Sequence, residues 1–176
     1  YVGTVLFVLV IRFEEIPGAF SLIFSHAFNG HAATGGFVGA TLAAAIRFGV
    51  ARGLFSNEAG LGSAPIVAAA AKTNDPVRQA LVSMTGTFID TIIVCTLTAL
   101  VILTTDVWTE GISAADLTAR SIAVTLGNTG ATIVAICSAL FAFSTLIGWS
   151  YYGEKAIEYL FGAQLVNFYK VIFSLL

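Results

Sequence analysis

Asn57-Glu58-Ala59-Gly60-Leu61-Gly62-Ser63-Ala64-Pro65 interrupts an apolar chain and decides how the rest of it is read. Apolar residues flank it on both sides. In hydrocarbon every backbone amide and carbonyl needs a partner, so irregular backbone survives there only where it lines a cavity or is buried in protein. An interrupted helix of this kind points to the binding site of a secondary transporter. The stretch has a second reading as a cytoplasmic loop between two helices, with Glu58 in water. The residues themselves leave both readings standing.

The surrounding composition sets the class. Apolar residues make up 57% of the 176 and charged residues 10%, with a mean hydropathy of +0.92. A soluble domain is about 45–50% apolar and about 25% charged, so this is a membrane composition. A net charge of −2 gives no reason to expect nucleic acid or an anionic surface as partner. Cys95 and Cys137 lie inside apolar runs and read as buried thiols. The chain opens within an apolar run, Tyr1–Ile11, and closes within another at Ser174-Leu175-Leu176. A spanning helix needs about 20 apolar residues, so both runs look cut. The expectation is a single transmembrane fragment, 1–176, of a longer polytopic protein. Its fold class is all-α: a membrane helix bundle with a discontinuous helix.

Working outward, Gly35–Phe55 reads as a spanning helix. Its glycines at four-residue spacing (Gly35 and Gly39, Gly49 and Gly53) allow close helix approach. Arg12-Phe13-Glu14-Glu15 is a charged exit from the first run, and Pro17–Phe28 reads as an amphipathic interfacial helix. After the interruption comes a short helix, Ile66–Lys72, then a turn signal, Thr73-Asn74-Asp75-Pro76. Ala80–Leu103 is the clearest spanning helix. Thr104–Gly130 is polar and acidic, with a helix-like piece around Ala114–Leu126. Ala131–Tyr152 spans again, Glu154-Lys155 marks its end, and Asn167–Leu176 begins another helix. Lys72, Arg78 and Lys155 fall on one side by alternation, which the positive-inside rule makes cytoplasmic.

Several residues can carry chemistry. Gly60 and Gly62 let the backbone turn and a ligand approach. Freed amides from Ser63 to Ile66 suit a carboxylate, and freed carbonyls around Phe55 to Asn57 suit an ammonium group or sodium. Pro65 fits a helix first turn. Glu58, if buried, needs a partner, for which Arg52 is the local candidate; such a pair is structural or gating. Asp90 lies near mid-depth of its helix, where a charge faces the bundle interior. It is either functional or bonded to a neighbouring hydroxyl, and shares a face with Thr87. Ser144 and Thr145 either bond back to the preceding turn or offer oxygens to sodium. Thr145 and Trp149 are one turn apart, so a hydroxyl and an aromatic wall face one point, which favours a small substrate. His26 and His31 have no metal-ligand spacing around them. Gly60-Leu61-Gly62 follows no strand and is not a dinucleotide fingerprint. Neither a cofactor nor a bound metal centre is expected.

The run Arg52 to Pro65 resembles the alanine or glycine:cation symporter family, the bacterial sodium:alanine symporters. So do Asn74-Asp75-Pro76-Val77-Arg78-Gln79, Phe88-Ile89-Asp90-Thr91 and the stretch from Leu140 to Glu154. The resemblance implies a leucine-transporter fold whose sixth helix unwinds at Ser56–Gly62, here from the end of the fifth helix into the ninth. It implies Phe55, Gly60, Leu61, Thr145 and Trp149 at the substrate. It implies Ser56, Thr87, Ser144 and Thr145 at sodium. Read from residue type and position, Arg52, Glu58 and Asp90 are gating or structural charges. The implied activity is sodium-coupled import of alanine or glycine across a bacterial inner membrane, with the N-terminal half supplied elsewhere. No enzyme is implied. The alternative class is another transporter, or a channel subunit with a polar mid-membrane site.

Overall fold

The computed structural model describes residues 1–28, 47, 49–51, 53, 58 and 61–175. Every regular element among them is helical. The helices are α1 (Val2–Ile11), α2 (Ile16–Phe28), α3 (Ala64–Ala68), α4 (Pro76–Thr104), α5 (Ala114–Phe161) and α6 (Val166–Leu175). Within the described residues, α4 and α5 are the two helices long and apolar enough to cross a membrane. At about 1.5 Å per residue, α4 with its 29 residues is about 43 Å long, more than the roughly 30 Å of a hydrocarbon core.

α4 starts four residues before the expected Ala80. Asp75 is its N-cap: Oδ1 accepts the amides of Val77 at 2.9 Å and Arg78 at 3.4 Å, and Pro76 occupies the first turn. An Asp cap satisfies orphan amides, and Pro loses nothing where no amide bond is needed. The turn signal is thus a helix start. Midway, Ile89–Val94 forms a π turn inside otherwise α-helical backbone.

α5 is kinked at Gly127, whose φ of 61° and ψ of −153° fall in a region open essentially to glycine alone. Three residues on, a Cβ at Gly130 would meet Leu126 Cβ at 2.7 Å and the Ile122 carbonyl at 3.1 Å. The kink divides the polar helical piece from the apolar one close to the expected boundary. The far end differs from expectation. α5 continues past Tyr152 to Phe161. Glu154 and Lys155 do not end it because both are paired, Lys155 with Glu158 at 2.7 Å and Glu154 with Lys170 of α6 at 3.0 Å.

Arg12 ties the end of α1 to the last residue of α4 and to α5 just before its kink. Its Nη1 donates to the Thr104 carbonyl at 2.9 Å and its Nε to Thr125 Oγ1 at 2.9 Å. A cation there complements the negative end of α4. Above this clamp sits the core: Val5, Val8, Leu9, Ala19, Leu100, Val101, Ile122 and Val134. Tyr1 closes it, with its hydroxyl 2.7 Å from Thr98 Oγ1 and its ring edge-on to Phe141. Thr104 and Thr125 share one end of the molecule, whereas Thr87 and Tyr152 share a cleft at the other. α4 and α5 therefore run antiparallel.

Two smaller expectations are corrected. The short helix is Ala64–Ala68, not Ile66–Lys72; Pro65 does occupy its first turn. Cys95 is exposed and Cys137 partly so, and no disulfide joins them. Their helices keep much apolar surface uncovered within this chain.

Candidate functional site

Within the interrupted stretch, Glu58, Leu61, Gly62 and Ser63 are non-helical. Arg47, Gly49–Ala51 and Gly53 are helical; Glu58 has a positive φ of 56°, Leu61 and Gly62 form a turn, and helix resumes at Ala64. Gly62 takes φ 79°, a conformation glycine adopts freely. For Glu58 the same region is uncommon and costs about 1–2 kcal/mol, so its surroundings must hold it there.

Two hydroxyls do so. Ser63 Oγ donates to Glu58 Oε2 at 2.9 Å, and Tyr152 Oη donates to the same oxygen at 2.7 Å from a position 94 residues away. The Tyr152 bond is the shorter of the two and has the length of a charge-assisted O–H···O⁻ bond. No basic side chain among the described residues pairs with Glu58. Arg52, expected as its partner, lies outside the described residues, as do Phe55, Ser56 and Gly60.

Glu58 and Tyr152 line a cleft of about 780 Å³ shared with α3 and the first three turns of α4. Its polar lining also includes Gln79, Ser83 and Thr87; Pro65, Val67, Ala80 and Met84 are among its apolar walls. Thr87 thus meets Glu58 across one space. Asp90, expected on the Thr87 face, does not line this cleft. It is the second residue of the π turn, and the helical stripe of cleft residues stops before it.

Ser144 and Thr145 both donate to the Phe141 carbonyl, each at 2.9 Å. This is the back-bonding common to helical hydroxyls. Each oxygen keeps acceptor capacity, since a hydroxyl has one proton and two lone pairs. Trp149 packs edge-on to Tyr152 with ring centroids 6.3 Å apart, so it reaches the cleft wall through that ring. Leu61 is half exposed and does not line the cleft. Of the amides expected to be free, that of Ile66 is used, donating to the Ser63 carbonyl at 3.0 Å.

The whole of residues 1–176 matches the Sodium:alanine symporter family. The chain belongs to the Sodium:alanine symporter family. Its relatives include an uncharacterized transporter of Haemophilus influenzae, 50% identical over 100% of this chain and 39% of its own length. The sodium/alanine symporter AgcS of Methanococcus maripaludis is 50% identical over 99% of the chain and 38% of itself. The probable sodium/glutamine symporter GlnT of Bacillus subtilis is 43% identical over 91% and 33%. The chain spans under two fifths of the length of these relatives.

Sequence reasoning missed Tyr152 as a site residue. The signal was present: Thr145, Trp149 and Tyr152 fall at i, i+4 and i+7, so the face recognised at Thr145 and Trp149 continues one turn to Tyr152. Ser63 was quoted within the motif but read only for its amide; its hydroxyl is what acts.

Proposed function

We propose that this chain is the second half of a sodium-coupled symporter that imports alanine, glycine or a similarly small neutral amino acid across a bacterial inner membrane. In this reading residues 1–176 run from the end of the fifth helix into the ninth of a multi-pass, leucine-transporter-like bundle, and the preceding half completes every site. The sixth helix unwinds at Ser56–Gly62. Phe55, Gly60, Leu61, Thr145 and Trp149 contact substrate. Ser56, Thr87, Ser144 and Thr145 serve sodium. Arg52, Glu58 and Asp90 are gating or structural charges. The protein works as a carrier, with no reaction catalysed and no cofactor beyond the coupling ion.

The observation that carries this reading is a non-helical stretch between helical residues, its carboxylate held by hydroxyls at a cleft, in a chain of a sodium:alanine symporter family. Irregular backbone between apolar helices is how such carriers expose backbone dipoles to a zwitterion and its ion. The Phe141-bonded hydroxyls of Ser144 and Thr145 support a cation role, since their lone pairs stay open to sodium. The name of the GlnT relative favours a second substrate reading, a larger neutral amino acid such as glutamine.

Uptake of labelled alanine by cells expressing the full-length protein, with sodium and with sodium replaced by choline, tests both. The expected result is uptake that requires sodium and is competed by excess glycine. Sodium-independent uptake overturns the coupling. Competition by glutamine but not glycine moves the substrate to the larger class.

A further inference from the structure

We propose that Tyr152 is a positioning residue for substrate binding, acting through Glu58; this rests on the reading of the interrupted stretch as the substrate site. Glu58 is held by two hydroxyls of different origin. Ser63 is five residues away and belongs to the same turn. Tyr152 is 94 residues away on α5 and is the described side chain that fixes this turn to another helix through a charge-assisted bond. The turn carries a non-glycine residue at φ 56°, a conformation that persists only where the surroundings over-determine it. α3, which follows it, is five residues long and is too short to hold the turn by its own helical stability.

The position of Tyr152 on α5 links two proposed contacts. Trp149, proposed as a substrate wall, lies three residues before it and packs edge-on against its ring. One ring therefore sets the spacing between that indole and the turn that carries Glu58 and Leu61. Losing the hydroxyl frees the turn without moving the indole, so substrate contacts on the two sides no longer come into register. The bond spans a half-exposed cleft, and the loss of one charge-assisted bond there corresponds to about a three- to tenfold effect after screening.

The test is uptake kinetics in the full-length protein for Tyr152→Phe, Glu58→Gln and Glu58→Ala, with Tyr152→Phe also combined with Glu58→Ala. Tyr152→Phe is expected to raise the half-saturating alanine concentration about three- to tenfold at normal surface abundance, with little change in maximal rate. Glu58→Gln keeps a carbonyl acceptor for both hydroxyls and should retain more affinity than Glu58→Ala. Adding Tyr152→Phe to Glu58→Ala should change nothing further. Two results overturn the positioning role: unchanged half-saturation in Tyr152→Phe, or a fall in abundance and maximal rate alone. Absence of sodium-driven uptake of any neutral amino acid in the wild type overturns the transport reading, and the positioning role with it.

Discussion

The two ends of this chain are held by different forces. At the Arg12 end, Val5, Val8, Val101 and Ile122 are at most 1% exposed, and a guanidinium joins three helices. At the Tyr152 end, α3 and the first half of α4 contain no buried residue, and polar contacts around Glu58 replace packing. The first end has a packed core formed within this chain, although Val10 and Phe13 beside it stay exposed. The second borders a cleft and leaves apolar side chains such as Met84 and Leu140 over 60% exposed. A packed end can act as a fixed frame. An end joined by two hydroxyls and a carboxylate can rearrange at small energetic cost.

The largest loss of stability should come from Ile122→Ala. That side chain is fully buried, so its removal leaves a cavity worth about 2–5 kcal/mol. The detergent-purified protein should melt several degrees lower; an unchanged melting temperature would break the contrast. Gly127→Ala is next. A Cβ at φ 61° and ψ −153° is strained by about 1–3 kcal/mol, again read by melting. Asp75→Ala removes a cap at the cleft end and should cost about 1 kcal/mol, seen as faster hydrogen exchange confined to the first turn of α4. The smallest structural effect belongs to Ser144→Ala. Losing one back-bond to Phe141 should change stability by about 0.5 kcal/mol or less. The sodium concentration for half-maximal uptake should nevertheless rise, and an unchanged sodium requirement removes Ser144 from the ion site.

What could be read from sequence follows the same division. The apolar helices α4 and α5 were legible because a membrane interior demands an apolar run, although both outrun the expected spans; the expected helix Gly35–Phe55 lies mostly outside the described residues. The boundary near Gly127 was legible because polarity changes there. The start of α4 was misplaced because Asp75-Pro76 serves equally as turn and as cap. The end of α5 was misplaced because Glu154 and Lys155 look like an exit until their partners, Lys170 and Glu158, are seen. Glu58 is singled out by residue type within the interruption and Thr87 by the resemblance, and both line the cleft. The face of Thr145 and Trp149 extends to Tyr152, but its pairing with Glu58 across 94 residues leaves no local pattern. Arg52, Phe55, Ser56 and Gly60 lie outside the described residues, so their roles rest on the motif.

The π turn at Ile89–Val94 has a consequence for how α4 serves both ends. A wide turn absorbs one extra residue that in α geometry would rotate everything beyond it by about 100°. Gln79, Ser83 and Thr87 can therefore look into open space, while Leu100, Val101 and Thr104 stay locked against α1 and the Arg12 clamp. A single-residue deletion within 89–94 should therefore close the wide turn into a regular one with both halves still facing their own neighbours, whereas a deletion elsewhere in α4 would rotate one half by about 100° against the other.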